Sequence, residues 1–534
     1  MPAHGRVWSL SRRSRRHAAF LVMAAAALAG CHQRESTDDA SASGTGAPAP
    51  AASPTCAVTD EEVRQWIEKP AVPAEPDGCF YDFAWQQFLA LTRLQGKAPV
   101  LATWPGDQAL FPASGDAEPW RTGEHRMRAR QLRKGRGLPG LHPVDADQVE
   151  EAAALTPLVD QRGRWLHFSV LVNQEEYEYI RCCELYRGGC YNQRMSGIDL
   201  PTTSLELKLA WRVIETCDLP DSPSPCTPED ASRFLTAPGE VQPYSAKLQD
   251  KPVKATLGLV GMHIVQKTPQ NPGFLWATFE HRDNAPDCPT AGNPVQPPPA
   301  SFASWQLYNP ACEDPTDSGR CKGNWYCPPC PVAVPKAVRD AYNQKHTAWT
   351  IPENPADPGG GLITCTPVPH TFNQPIAGVQ VFLFDPDQCK ADPIPTQACR
   401  ETAITEKVSL LNQQVQKVLG QLGGRAALLA NYELAGVLWF AGGGSTLEPA
   451  ASGTALANTT METYLQDPAL MSKGCVTCHD IAAKPVPSKP PMQFDSGLAD
   501  RSMVFQQIRQ FGDATCSPSQ PPSCAAWAGR CPAG

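Results

Sequence analysis

Near the carboxyl end of the 534-residue chain stands Cys475-Val476-Thr477-Cys478-His479, two thiols and an imidazole within one short run. Thiols at this spacing can add across the two vinyl groups of one porphyrin, and the residue that follows then places its imidazole under the iron. The pattern predicts a single covalently attached c-type haem held by Cys475, Cys478 and His479, with His479 as an axial ligand. A local disulfide or a metal hook is the plainer use of the same side chains. A second pair, Cys327-Pro328-Pro329-Cys330, has the spacing of a redox dithiol. Prolines surround it where a strand and a helix should stand, so it reads as structural disulfide sulfur.

The sixth position on the iron has several candidates. Met492, in Pro490-Pro491-Met492, lies 13 residues beyond His479 and resembles the proline-containing approach by which class I cytochromes c deliver their methionine. That length of chain suffices to pass around a haem edge. Met503 is a second candidate, although the stretch from Met503 to Ile508 suits core packing as well. His263 and His281 are the others, and the position can also stay open. Strand alternation puts His263 on the face of Leu257, Leu259 and Val265, and His281 on that of Leu275, Ala277 and Phe279. In a hairpin of suitable register both imidazoles would share one side of a sheet. Buried histidines bonded to backbone, Glu280 or Asp283 are the ordinary alternative.

These groups need a scaffold, and the periodicity of the chain describes one. Apolar residues alternate or run continuously over residues 164–172, 204–214, 256–265 and 274–281, which predicts strands. The turn-rich stretch 267–273 suits a hairpin between the last two. Residues 431–440 read as a further strand. Residues 80–91 have helical spacing, with Phe80, Phe83, Ala84, Gln87, Phe88 and Leu91 on one face. Residues 408–422 repeat that spacing and stop at Gly423-Gly424. Thr459-Thr460-Met461-Glu462 has the form of a capping box, predicting a short helix through Tyr464 and Leu465. Residues 283–400, dense in Pro and Cys, read as a disulfide-bound, loop-like excursion. The expected fold class is α+β: a central antiparallel β-sheet body with long disulfide-rich loops and a small helical C-terminal haem c segment. The expected division is 1–30 signal peptide, 31–56 flexible tether, 57–445 body and 446–534 haem-binding segment.

Residues 1–30 are an address. Arg12, Arg13, Arg15 and Arg16 precede an apolar run too short to span a bilayer. The run ends in Leu28-Ala29-Gly30-Cys31, which resembles the lipobox of bacterial lipoproteins and implies cleavage before Cys31 and lipidation of its thiol. An ordinary signal peptide is the alternative. His32 stands where lipoproteins of the inner membrane often carry Asp, which favours the outer membrane. The expected location is the periplasmic side of a bacterial cell envelope, with a lipid anchor as the sole membrane contact. Removing this segment takes the formal charge from −8 to about −13, which disfavours a phosphate backbone, so no nucleic-acid partner is expected. Of 21 cysteines, 18 remain once Cys31, Cys475 and Cys478 are set aside. That even number permits complete disulfide pairing in an oxidising compartment.

Four stretches resemble a group of large secreted bacterial proteins described as cytochrome c-like. They are residues 83–91, 258–265 (Gly-Leu-Val-Gly-Met-His-Ile-Val), 275–281 (Leu-Trp-Ala-Thr-Phe-Glu-His) and 456–464, followed by the CxxCH run. The resemblance implies haem attachment at Cys475, Cys478 and His479 and implies no reaction. The large body departs from the small haem domain of ordinary cytochromes. The leading expectation is a monohaem electron-transfer protein whose body docks a redox protein partner. A haem enzyme, peroxidase-like or a small-oxide reductase with an open distal face and His263 or His281 as acid–base group, is the second. A disulfide-stapled surface protein with a structural haem is the third.

Overall fold

The computed structural model describes most of residues 58–122, 158–241, 253–310 and 396–439. It also describes 127–128, parts of 332–363, 456–466, His479, and parts of 502–532. The expected signal segment (1–30), Cys31, the expected tether (31–56), Cys327, Cys330, Cys475, Cys478, Met492 and Met503 lie outside the described residues.

The chain is α+β, built on the antiparallel sheet that its periodicity predicts. The strands are β1 (His167–Val172), β2 (Leu205–Ile214), β3 (Thr236–Val241), β4 (Val253–Gln266), β5 (Leu275–His281) and β6 (Tyr432–Leu438). They run in the order β6-β5-β4-β2-β1. β3 pairs with the first half of β4, and Met127–Arg128 adds a short parallel pairing to β3. Around the sheet lie helices α1 (Asp60–Glu68), α2 (Phe80–Thr92), α3 (Gln174–Cys182), α4 (Gly188–Arg194), α5 (Glu406–Leu422) and α6 (Gly424–Leu429). α5 ends where expected, because Gly423 takes a φ of 69°, which costs a residue with a Cβ far more than glycine. α3 was not expected, yet its start carries a local signal. The Asn173 side chain accepts from the Glu176 N–H at 3.2 Å, and Glu175 and Glu176 occupy the positive first turn.

Leu205, Leu207, Leu209, Trp211 and Val213 alternate along β2 and fill one sheet face. α1, α2 and α5 cover that face, burying Phe88, Leu411 and Val415 against Leu259, Ile264 and Phe279. One polar side chain organises this core. Asn412 accepts from Trp85 Nε1 at 3.1 Å and from Leu434 N at 3.1 Å, and donates to Leu434 O at 2.9 Å. It thereby satisfies the backbone of β6 beside the bulge between Leu434 and Gly436.

A second bulge redistributes the side chains of β4. Ala210 pairs with Gly261 while Trp211 pairs with Leu259, leaving Val260 as the extra residue. Leu257 and Leu259 therefore share a face with Met262 and Ile264, and His263 turns to the other face with Gly261 and Val265. Strict alternation, which put His263 beside Leu257 and Leu259, is overturned by that inserted residue. The expectation of two histidines on one side also fails. His263 faces Thr278 across the hairpin, whereas His281 alternates with Ala277 and Phe279. The two imidazoles lie on opposite faces.

Residues 283–400 are closed by the Cys288–Cys399 disulfide. Part of this excursion is more regular than its composition predicts. A small separate unit spans 334–361, with a helix at Lys336–Asn343 and the hairpin that pairs Glu353–Asn354 with the strand Asp357–Ile363, whose last two residues lie beyond the unit. Arg339 donates to the Gly360 carbonyl at 3.1 Å within it. Composition registers proline density and misses short strands whose partners are themselves glycine-rich.

Candidate functional site

The face of the sheet opposite α1, α2 and α5 is built differently. Two apolar clusters flank a polar strip. One joins Val172, Val265, Trp276 and Leu438 to α3, to Leu456, and to Val504, Phe505, Ile508 and Trp527. The other joins Phe168, Ala210 and Val260 to Met461 and Tyr464. Between them lie Lys208, His263, Thr278 and Glu280, side by side through the register of β2, β4 and β5.

Residues 456–466, the arm that precedes the CxxCH run, lie on this strip. Asn458 Nδ2 donates to Thr278 Oγ1 at 2.8 Å and to the Phe279 carbonyl at 3.0 Å. Glu280 accepts from the Thr459 N–H at 2.9 Å and from its hydroxyl. Gly261 lies directly beneath, and a Cβ there would come within 2.1 Å of Thr460 Oγ1. The glycine is what lets the arm sit this close to the strand. His263 Nε2 meets Glu462 Oε1 at 3.0 Å. Burial works to raise the Glu462 carboxyl. The charge and hydrogen bond of His263, with Lys208 and the Asn458 N–H, outweigh it and hold the carboxyl below its usual range.

The predicted capping box is corrected in detail. Glu462 does reach back, but to the Asn458 N–H at 2.9 Å, and Asn458 Oδ1 accepts from Thr460 N at 2.9 Å. Thr459 is spent on Glu280, and the helical turn is a 3₁₀ segment at Thr463–Leu465. A cross-sheet partner outcompeted the local cap.

Beneath the arm, Arg400 gathers charge. Its Nη2 donates to Glu280 at 3.2 Å and to Glu433 at 2.7 Å, and its Nη1 to Asp287 at 3.2 Å. Burial disfavours the guanidinium charge, but the three carboxylates more than offset this and raise its pKa. Gln466 closes the arm by donating to the Cys399 carbonyl at 2.8 Å.

The chain beyond the motif returns to the same face through disulfides. Cys516, Cys524 and Cys531 bond to Cys190, Cys182 and Cys183 on or beside α3 and α4, spanning 326, 342 and 348 residues. The CxxCH run is therefore bracketed by an arm hydrogen-bonded to the sheet and a tail stapled to helices. Both brackets belong to the same compact unit as the sheet.

Of the three residues expected to hold the haem, Cys475, Cys478 and His479, only His479 is among the described residues, and it lies against this face. Its ring meets the Trp276 indole at 4.3 Å between centroids and 71° between planes. Trp276 had no signal of its own in the sequence, because its partner is distant in the chain. His281 is buried on the other face, stacked on Phe234 at 4.5 Å. Its Nε2 donates to the Arg233 carbonyl at 3.0 Å, and Nδ1 lies against the Asp283 carboxylate. Three of the four stretches that carry the family resemblance, 258–265, 275–281 and 456–464, converge here through Gly261, His263, Trp276, Thr278, Glu280 and Asn458. Among the described residues one other group has ligand spacing, Glu215 with Cys217 and Cys226, but those two sulfurs are joined as a disulfide. No described helix is long and apolar enough to cross a membrane. No protein-family model, curated protein or solved structure matches the chain.

Proposed function

We propose that this chain is a monohaem c-type cytochrome of the periplasmic side of a bacterial envelope, anchored by lipid at Cys31 and working as an electron carrier between redox proteins. The observation that carries the reading is Cys475-Val476-Thr477-Cys478-His479 in a disulfide-bonded chain with a lipobox-like leader. The donor set fits the group: two thiols at vinyl spacing and an imidazole beside a buried indole. Cys475 and Cys478 would hold the haem by thioether bonds, and His479 would ligate its iron. Met492 is the proposed sixth ligand. When bound, the haem supplies a one-electron ferric–ferrous couple.

The protein's own residues position the attachment run. Asn458, Thr459 and Glu462 hold the arm before it on Thr278, Glu280 and His263, and three disulfides hold the tail after it. Fixed anchors of this kind limit rearrangement of ligands between oxidation states, which suits rapid electron exchange. The enzyme reading finds less support. His281, one of its two acid–base candidates, has both ring nitrogens engaged on the opposite face.

The test is full-length protein produced in a strain that matures c-type haem. Peptide mass analysis should find one haem on the fragment containing Cys475 and Cys478, and spectra should show a reversible couple insensitive to carbon monoxide. A methionine-specific charge-transfer band in the ferric spectrum would mark methionine ligation, against the histidine alternatives. An unmodified fragment would end the proposal.

A further inference from the structure

We infer that Trp276 is the positioning residue that sets the plane of the His479 imidazole, so that the body of the protein, and not the attachment run alone, determines the electronic state of the site. The inference rests on the haem reading above and adds to it a residue outside the motif.

The geometry carries the argument. An axial imidazole is free to turn about its bond to iron unless a neighbour fixes it, and its orientation tunes the metal. Trp276 is a neighbour that cannot turn. It is 4 % exposed and lies between Val265 on β4 and Leu438 on β6 in the sheet register. Its Nε1 donates to the Gly273 carbonyl at 3.4 Å, and Phe274 packs edge-on at 6.2 Å. His479 meets this ring at 71°, the edge-to-face arrangement that aromatic quadrupoles prefer. Rotation of the imidazole would exchange that contact for a clash or a gap. The same indole anchors the apolar cluster that receives Val504, Phe505 and Ile508. His479 on one side of residues 480–501 and Val504 on the other therefore both meet this cluster.

The experiment uses full-length, haem-matured protein as wild type, Trp276→Phe and Trp276→Leu. One covalent haem per chain is expected in all three. The low-spin ferric electron paramagnetic resonance g-values should move and broaden in the leucine variant and return towards wild type in phenylalanine, which restores an aromatic edge. Identical g-values in wild type and leucine, with only a lower melting temperature, would overturn the inference and leave Trp276 as packing. If leucine does not accumulate, the haem-free measurement that follows decides. A second measurement needs no haem. In full-length Cys475→Ala/Cys478→Ala protein with labelled histidine, the His479 ring protons should carry an indole ring-current shift that Trp276→Phe reduces. Unshifted His479 protons would overturn the inference. Absence of covalent haem in wild type would instead strike the underlying reading, and that outcome is distinguishable from a haem-loaded protein with unmoved g-values.

Discussion

The two faces of the central sheet solve the same problem, covering a strand surface, by different physics. On one, α1, α2 and α5 lay apolar stripes against Leu207, Leu259 and Phe279, and burial does most of the work. On the other, the arm at residues 456–466 and the described parts of 504–531, short 3₁₀ turns among them, are held by a strip of directed hydrogen bonds, two smaller apolar clusters and three disulfides. The difference teaches where precision is placed. Apolar packing is tolerant of sequence, whereas hydrogen bonds to Thr278, Glu280 and His263 admit one register of the arm. The face that needs a unique geometry is the one bearing His479.

The sharpest way to separate the faces is to damage each alone. Phe88→Ala empties a fully buried ring position between Phe279 and Tyr432. It should cost about 3–5 kcal/mol of global stability in denaturant titration while leaving haem attachment in the surviving folded protein intact. Loss of attachment at full folding would merge the two faces into one functional unit. Removing one staple, Cys183→Ser with Cys531→Ser, should cost about 2–4 kcal/mol. Hydrogen exchange should then show lost protection around α3 and Trp527 and unchanged protection in α2 and α5. Equal loss on both faces would break the comparison.

Acid should act on the helical face first. Burial lowers His167, opposite Trp211 on that face, to about 4. The unfolded chain binds its proton at about 6.5, so between those values the unfolded state holds more protons and stability falls as pH drops. The loss should reach about 3 kcal/mol across that window. Asp82, raised to about 6 by burial and then by Glu62, works in the opposite sense below that pH, since its folded form takes up the proton more readily. The measurement is therefore the difference in pH-dependent melting between wild type and His167→Leu. A parallel pH response in both would remove His167 from the account. Glu462, held low on the other face, contributes stability that is lost only as pH falls below the usual carboxylate range.

The smallest effect tests the arm itself. Gly261→Ala should cost about 2 kcal/mol, because the new methyl meets the Thr460 hydroxyl and the arm must lift. The yield of covalent haem should fall more than the melting temperature of the body does. Undiminished haem yield would show that the docked arm does not guide attachment.

Much of the helical face was readable from local pattern. The helices at residues 80–91 and 408–422 and the four main strands follow from apolar period and from Gly423, since each element buries a repeating face that its own residues spell out. The CxxCH run was legible as a candidate haem-attachment site, because two thiols and an imidazole at that spacing are a local chemical unit. Other features needed the folded chain. An inserted Val260 reversed the side on which His263 stands, and a one-residue slip leaves no trace in alternation. Thr459 looked like a cap, and a carboxylate 179 residues away took its hydroxyl. The pairing of Cys182, Cys183 and Cys190 with the tail, and the meeting of Trp276 with His479, likewise join positions hundreds of residues apart. Spacing along a chain dictates which groups are present and what each element can bury. Which distant groups meet is decided by strand register and packing, and those exist only once the sheet has formed.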